Sequence, residues 1–471
     1  MKQVFNPYLP LNEYVPDGEP RVFDGRVYIY GSHDEAGGTV YCPGHYVGWS
    51  APVDDLSDWT YHGEIYRRTQ DPTNAADKLQ LWAPDVVRGP DGRYYLYYCF
   101  SFYPEFGVAV SDSPVGPFEF YGHIHYPDGS VLSELCPFDP AVLVDDDGRI
   151  FLYYGFAGLP NPDYPHVPLS PGCLVVELES DMVTVRHSPQ ICAPGQLSAE
   201  GTSFEGHAFY EAASMRKIGN TYYLIYSSQH SHELCYATSH FPDQGFQFRG
   251  TIISNGDIGL EGREDAVYMT GNNHGSIAEV NGQWYVFYHR QTHATESSRQ
   301  GCAERITIQP DGSIPQVEIT SCGLNIEPLN GVGNYSAALV CHLTCKDAQG
   351  IVVYGQDRKQ YQPYIYQEGD TLHYIANVSD GTVFGWKYFS FCDLDQIGIV
   401  VRGTAAGRIE LFFKEPKPGV AAACCTEVYL CAKEEWSEVR IELSCNLSGT
   451  YPVYVRYTGI GNLDVKDIKF G

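Results

Sequence analysis

The sequence predicts an all-β protein, a five-bladed β-propeller followed by a β-sandwich of the jelly-roll type. Two observations lead to this fold class. First, a glycine turn followed by an aromatic-rich alternating strand recurs five times, with turn glycines at Gly25, Gly92, Gly148, Gly219 and Gly282. Second, this pattern stops near Arg305, and alternating strands continue without the same spacing. Repeats of one supersecondary unit indicate blades arranged radially.

Each repeat begins with a short apolar stretch that reverses at a glycine turn into the aromatic strand, as in RGPDGRYYLYYCF at 88–100 and RKIGNTYYLIYSS at 216–228. Such turns flanked by alternating residues are typical of β-hairpins. Later segments, such as FGVAVSDSPVGPFEF at 106–120, supply further strands, so each repeat holds about four strands, as a propeller blade does. We therefore assign residues 1–310 to the propeller.

The remaining chain, residues 311–471, contains alternating segments such as IGIVVRG, RIELFFK and YPVYVRYTG. This alternation is typical of strands with one buried face, and we assign these residues to a separate β-sandwich.

Composition excludes several classes of protein. The 471 residues include 58 acidic and 30 basic side chains, a formal net charge of −28, which disfavours a nucleic-acid partner. No apolar run is long enough to cross a membrane, and the first residues lack the apolar core of a signal peptide. The fifteen cysteines form no C-x₂-C pair, so we expect reduced thiols and a cytoplasmic location.

Ionisable residues stand just before the repeats: Asp17, Asp85, Asp139, Glu211 and His274. A single such carboxylate is explained by a turn cap or an ion pair. Residues at equivalent positions of several blades, however, should converge on the central channel. Crowded carboxylates repel one another, and such sites are where pKa values are separated for function.

Glycosidic bond hydrolysis is the chemistry that uses paired carboxyl groups. One carboxylic acid protonates the leaving oxygen, and the other carboxylate attacks the sugar or removes a proton from water. A third carboxylate nearby could keep the acid protonated near neutral pH.

The segments around these carboxylates resemble glycoside hydrolase family 43, the inverting five-bladed enzymes acting on arabinose and xylose linkages. Asp17, followed by GEPRVFDGRVYIYGSHD, aligns with the family's general-base motif. Asp139, in FDPAVLVDDDGR, resembles the middle carboxylate that tunes the acid and positions substrate. Glu211, in EAASMRKIGNTYYLIYS, matches the motif of the general acid.

Two positions leave alternatives open. The family usually has proline after the base, and this chain has Gly18, so Glu19 is a rival base. We favour Asp17 because its spacing to Tyr28 fits the motif without a gap. Glu205, in FEGHAF, is a weaker alternative to Glu211 as the acid.

The same resemblance implies further site residues. Trp82 and Asp85, in LWAPDVV, together with Phe138 and Arg299, are expected to bind substrate, Arg299 by reaching the terminal sugar and the middle carboxylate. His274 matches the histidine that faces a central metal through water, so one structural calcium is expected near it and no organic cofactor.

The C-terminal region resembles a carbohydrate-binding module of family 6, chiefly in its last two strands, GTYPVYVRYTGIGNLDVKDIKFG. In that interpretation Trp386, Tyr388 or Phe389 would form a sugar platform. The alternative is that these aromatics pack the sandwich and the module only supports the propeller.

The resemblance implies an inverting glycosidase that releases terminal arabinofuranose or xylose from short plant cell-wall oligosaccharides. Two alternatives stay open: a non-catalytic sugar-binding propeller, and a propeller glycosidase for a β-galactoside or a fructoside. An oligosaccharide is the expected partner, and the sequence carries no signal for the oligomeric state.

Overall fold

The structure is a computed structural model that describes residues 3–162, 167–346, 362–430 and 435–471. Five antiparallel sheets follow one another along the first two thirds of the chain, and one larger sheet follows them. Apart from four short 3₁₀ helices at Pro72–Asn74, Gln196–Ser198, Leu260–Gly262 and Ala337–Leu339, the described elements are strands, as the predicted all-β class requires.

The first four sheets each have four strands in simple up-and-down order. Blade one contains β1 Glu19–Phe23, β2 Arg26–Tyr30, β3 Tyr46–Pro52 and β4 Thr60–Tyr66. Blade two contains β5 Leu81–Arg88, β6 Tyr94–Phe100, β7 Phe106–Ser111 and β8 Glu119–His123. Blade three contains β9 Ala141–Val144, β10 Ile150–Tyr154, β11 Gly172–Leu178 and β12 Gln190–Pro194. Blade four contains β13 Phe209–Ile218, β14 Thr221–Ser228, β15 Glu233–Ser239 and β16 Gln247–Ser254.

Blade five has three strands, β17 Ser276–Val280, β18 Gln283–Gln291 and β19 Arg299–Arg305. Its outer edge is covered by the N-terminal segment, because the amide of Tyr8 donates to the carbonyl of Gly301 and the side chain of Asn6 donates to that of Ala303. The beginning of the chain thus closes the ring against its last blade, and no long strand edge is left open there.

The predicted turn glycines lie between the first two strands of each blade. All five, including Gly25 and Gly282, adopt positive φ, and a Cβ added at any of them would meet nothing within 4 Å. Glycine is therefore required by backbone conformation rather than by space. The aromatic strands that follow form the buried middle of each blade, as the run of seven buried residues in β6 shows.

The C-terminal domain is one curled sheet of eight strands: β20 Leu329–Asn330, β21 Gly333–Ser336, β22 His342–Thr344, β23 Tyr364–Glu368, β24 Leu372–Val378, β25 Val383–Phe412, β26 Cys424–Leu430 and β27 Ser437–Phe470. The two long strands, β25 and β27, bend so strongly that Ile397 pairs with both Ile441 and Phe470. This curled sheet is the form taken by the expected β-sandwich.

The two domains share one hydrophobic core. It joins Ile252 and Val286 of the propeller to Trp386 and Phe389 of the C-terminal sheet. The indole of Trp386 and the ring of Phe389 are fully buried there. The prediction that these two aromatics form a sugar platform is therefore wrong, since neither presents a face to solvent. Tyr388 is half-buried and donates a hydrogen bond to Glu318.

Fourteen cysteines lie in the described part of the chain, and all are free thiols. In the same part, no helix has the length and apolar character needed to cross a bilayer.

Candidate functional site

A cavity of about 330 Å³ lies at one end of the propeller and is lined by residues from the starts of all five inner strands. Asp17 precedes β1, Trp82 begins β5, Asp139 precedes β9, Glu211 begins β13 and His274 precedes β17. The three carboxylates predicted from scattered segments thus converge in one cavity. These five residues differ in type, but each lies near the start of the inner strand of its blade. This shared position is what brings them together.

The backbone at these strand starts is left-handed. Asp17, Ala83 and Asp139 have φ of 56°, 32° and 49°. Residues other than glycine rarely adopt positive φ, and such strain is concentrated at functional sites. In blade two the residue in this conformation is Ala83, whereas the sequence analysis aligned Asp85 with Asp17.

Asp85 lies two residues further along its strand and points away from the cavity. Its carboxylate is fully buried and accepts hydrogen bonds from Arg21 at 2.9 and 2.5 Å and from the amide of Val142 at 2.8 Å. It therefore joins neighbouring blades near the propeller axis. The prediction that Asp85 binds substrate does not fit this placement, because its oxygens are taken by protein donors.

Asp17 is held as a carboxylate. Arg299 Nη1 lies 2.8 Å from its Oδ1, and the Asp17 amide donates to Nδ1 of His289 at 3.2 Å. Burial opposes ionisation, but the guanidinium and the neighbouring histidines outweigh it and hold the pKa of Asp17 well below its ordinary value. An ionised oxygen facing a cavity is what a general base needs.

Arg299 is fixed by a residue that the sequence analysis did not single out. Asp34 accepts from Nε at 2.7 Å and from Nη2 at 3.1 Å, a bidentate pair. The guanidinium also lies 4.8 Å from the ring centre of Tyr41. The resemblance implied that Arg299 reaches the middle carboxylate, but its hydrogen bonds go to Asp17 and Asp34 instead. Asp34 lies in the GSHD segment that follows the base motif. This position is the signal in the sequence from which Asp34 could have been identified.

The pKa of Glu211 is shifted in the opposite direction from that of Asp17. Its carboxyl group is buried and forms no ion pair within the described residues, and burial together with the negative charge of Asp17 raises its pKa to about 8. A carboxyl group with this pKa is protonated at neutral pH and can act as a general acid.

Asp139 lies beside both groups. Its Oδ2 accepts a hydrogen bond of 3.0 Å from the amide of Ala212, the residue after Glu211. Burial, Glu211 and Asp17 raise its pKa well above the ordinary value. Because ionisation of one member opposes ionisation of the other, the Asp139–Glu211 pair retains at least one proton near neutral pH.

His274 lies close to both Asp17 and Asp139. Its Nδ1 lies 3.8 Å from Asp17 Oδ1 and 3.6 Å from Asp139 Oδ2. Burial lowers its pKa to about 4 despite the nearby carboxylates, so the ring is neutral at physiological pH. It separates the two carboxyl groups without adding a charge.

A group that could hold a metal lies elsewhere in the described residues. His207, His230 and Glu233 place potential ligand atoms within 4.8 Å of one another. His274 is not part of this group.

The cavity has an aromatic wall. Trp82 and Phe138 meet edge to face with ring centres 5.5 Å apart, as the expectation of an apolar substrate wall requires. Phe102 and Phe156, in the loops after β6 and β10, and Tyr210, in β13, extend this wall and were not found from the sequence. Tyr41 and the carboxylate of Glu296 line the opposite part of the cavity and were also missed.

Neither rival carboxylate lines the cavity. Glu19 is buried and accepts a 2.6 Å hydrogen bond from Arg216. Glu205 is exposed and accepts from the amide of Gly201. The geometry therefore favours Asp17 over Glu19 and Glu211 over Glu205.

Comparison with known proteins identifies relatives of the whole chain. Over nearly its whole length, 99% of this chain and 98% of the relative, the chain is 46% identical to a xylosidase/arabinosidase of Thermoclostridium stercorarium. It is 30% identical to a xylosidase/arabinosidase of Bacteroides ovatus over 60% of this chain and 87% of the relative.

Solved structures share the fold. A family 43 β-xylosidase/α-arabinofuranosidase from a compost microbial metagenome, solved with xylotriose in a calcium-free form, matches with a TM-score of 0.50 and 30% identity over 65% of this chain and 95% of that one. An arabinoxylan arabinofuranohydrolase from Bacillus subtilis matches with a TM-score of 0.51 and 22% identity over 98% and 96%. The family model of glycosyl hydrolases family 43 matches residues 12–314. This chain therefore belongs to glycosyl hydrolase family 43 and is a glycoside hydrolase.

Proposed function

We propose that the chain is an inverting, exo-acting glycosidase that releases terminal xylose or arabinofuranose from short oligosaccharides. The observation that carries this proposal is the opposite protonation of two carboxyl groups in one cavity, Asp17 ionised and Glu211 protonated. The names of the relatives support the sugar class, since the relative that spans the chain is a xylosidase/arabinosidase. A cavity of about 330 Å³ is at the small end for ligand pockets and favours a chain end over a long polymer.

In the proposed mechanism Asp17 removes a proton from a water molecule beneath the sugar while Glu211 protonates the departing oxygen. Inversion needs room for that water, and carboxyl groups about 6.5–9.5 Å apart provide it. Asp139 accepts a hydrogen bond from the amide of Ala212, next to Glu211, and Glu211 in turn raises the pKa of Asp139. Arg299 holds the base in place, and Trp82 and Phe138 offer an apolar wall to the sugar.

Hydrolysis of p-nitrophenyl glycosides tests this proposal. The β-D-xyloside and the α-L-arabinofuranoside should be cleaved, and the β-D-galactoside should be cleaved far more slowly. Xylotriose should be shortened by one unit at a time. Absence of turnover on the whole panel, with oligosaccharide binding by calorimetry, would instead support a non-catalytic sugar-binding propeller.

We further propose one structural calcium near His274. The neighbouring Glu19 has a buried oxygen, Oε1, without a hydrogen-bond partner among the described residues, and its charge acts on His274. Calcium prefers oxygen ligands, so the imidazole would act through water and the ion would supply positive charge behind the carboxylates. Metal analysis of the purified protein, with and without chelator, tests this directly.

We also propose a cytoplasmic location. Most of the fourteen described cysteines are buried free thiols, which suits a reducing compartment. Fractionation of the producing cells, with the activity assayed in each fraction, tests this.

A further inference from the structure

Two residues of the C-terminal domain reach the loops that carry the cavity. Gln367 of β23 and His373 of β24 are direct cross-strand partners. Gln367 Oε1 accepts from the hydroxyl of Tyr14 at 2.7 Å, and His373 Nδ1 lies 3.2 Å from Nε2 of His293. Tyr14, His293 and His373 are all at least 95% buried. This hairpin therefore packs directly against the propeller segment that leads to Asp17.

The hydrogen bonds at this contact have a fixed direction. The side-chain amide of Gln300 donates to the carbonyls of Leu11 and Glu13, at 2.9 Å each. Carbonyls can only accept, so the Nε2 atom faces them and Oε1 of Gln300 is the acceptor. The Thr292 hydroxyl, 2.8 Å away, must then give its proton to that oxygen.

Donors and acceptors can be assigned in the same way as far as the C-terminal domain. Having donated its proton, the Thr292 hydroxyl accepts from Nδ1 of His293 at 3.0 Å. Burial holds the pKa of both histidines below the ordinary value, so each ring carries one proton. His293 Nε2 is then an acceptor, and the proton in the bond between the two rings comes from Nδ1 of His373.

The chain of hydrogen bonds ends at two carbonyls of the segment that leads to the proposed base. Gln300 follows Arg299 in β19, and Arg299 binds Asp17 at 2.8 Å. The carbonyls that Gln300 holds belong to the segment 11–17, which ends at Asp17. The side chain of Gln300 therefore connects both partners of the Arg299–Asp17 pair, and its oxygen is linked through Thr292 and His293 to a histidine of the other domain.

We propose that His373 is a positioning residue for the base Asp17, acting through His293, Thr292 and Gln300. The C-terminal domain is thereby part of the catalytic unit. This inference rests on the proposed role of Asp17. A base displaced by a fraction of an ångström loses its alignment with the water, so the effect falls on kcat more than on KM.

The experiment compares two substitutions of His373 in the full chain. His373→Phe keeps a ring but removes the donor, and we expect kcat about 10-fold lower with KM changed less than about 3-fold. His373→Asn places an amide N–H near the position of Nδ1 and should restore kcat to within about 3-fold of wild type. His293→Gln, which loses the donor to Thr292, should reproduce the loss and serves if His373→Phe does not fold.

Glu415→Gln is the matched control. Glu415 binds Arg263 across the same two domains with hydrogen bonds of 3.0 and 2.6 Å, but it does not line the cavity. This variant should melt at a lower temperature with unchanged kcat. Normal kcat in His373→Phe, or an equal kcat loss in Glu415→Gln, would overturn the inference.

Hydrogen exchange separates this inference from the proposed function. In His373→Phe the amides of residues 11–17 should exchange faster than in Glu415→Gln, whatever the substrate is. Unchanged exchange there would overturn the inference even if wild type proved inactive on the xyloside panel. Conversely, an active wild type that is inactivated by Asp17→Asn but unaffected by His373→Phe would refute only the positioning role.

Discussion

Arg299 donates a 2.8 Å hydrogen bond to Asp17, and this ion pair holds the pKa of Asp17 well below its ordinary value. Burial alone would raise the pKa of Asp17, Asp139 and Glu211. The guanidinium reverses that effect at Asp17, and the resulting negative charge adds to burial in raising the pKa of Glu211. One cation, Arg299, therefore separates the pKa of the base from the pKa of the acid.

Replacement of the acid tests its assignment. Glu211→Gln should lower kcat on xylo-oligosaccharides by about 10²–10⁴-fold, the usual contribution of a general acid. The loss should be much smaller on p-nitrophenyl glycosides, whose leaving groups need little protonation. Glu205→Gln is the control, since Glu205 is exposed and outside the cavity. A kcat loss confined to Glu205→Gln would reverse the assignment.

The same variant should be more stable than wild type at alkaline pH. Since burial raises the pKa of Glu211 from 4.5 to about 8, its stabilising contribution is present below pH 4.5 and is lost as pH rises toward 8. The neutral glutamine avoids this loss. Calorimetry should show a higher Tm for Glu211→Gln at pH 8 and no difference near pH 4.5. An equal Tm at pH 8 would mean that Glu211 is solvated.

Two variants, Asp17→Asn and Glu19→Gln, test which residue is the base. Asp17→Asn should remove measurable turnover, because an amide cannot accept the proton of water. Glu19→Gln should keep kcat within about 3-fold of wild type but unfold more easily, since it leaves the largely buried Arg216 side chain without its ionic partner, a change that costs up to about 3–5 kcal/mol. Steady-state kinetics and thermal melts distinguish the two. Loss of turnover in a folded Glu19→Gln variant, with Asp17→Asn active, would make Glu19 the base.

Much of this site was predictable from the sequence because it follows from the blade repeat. Asp17 and Asp139 precede an inner strand and Glu211 lies in the first residues of one, and the repeat places such positions at one end of the propeller. The register within a repeat was less certain, since strand alternation repeats every two residues. Asp85 has the same parity as Ala83, so the pattern could not show which of them faces the cavity.

Residues contributed by loops could not be predicted in this way. Phe102 and Glu296 reach the cavity, and Asp34 reaches Arg299, from connections with no repeat period, and only the folded chain brings them there. The burial of Trp386 and Phe389 was equally hidden, because an aromatic residue in an alternating strand fits a sugar platform and a hydrophobic core equally well.

The corrected role of Asp85 has a direct test. Asp85→Asn should weaken the pair of buried Asp85 with Arg21 and lower Tm, while KM for the β-D-xyloside stays within about 2-fold. Phe138→Ala is the contrasting variant, because its ring lines the cavity, and it should raise KM by about 10-fold, since losing a buried aromatic contact costs of the order of 1–3 kcal/mol. A large KM increase in Asp85→Asn would restore its original assignment to substrate binding.

The pH dependence of kcat/KM reports the free enzyme. Activity requires ionised Asp17 and protonated Glu211, so kcat/KM should be level through weakly acidic and neutral pH and fall as pH rises through about 8. The alkaline limb should disappear in the residual activity of Glu211→Gln on activated substrates. A limb that persists in that variant would belong to another group.

The anomer first released from the substrate tests the central claim most directly. Proton NMR during cleavage of a β-D-xyloside should show α-xylose before mutarotation, because Asp17 activates a water on the face opposite the leaving group. Initial release of β-xylose would contradict this account, since retention requires a carboxylate that attacks the sugar itself.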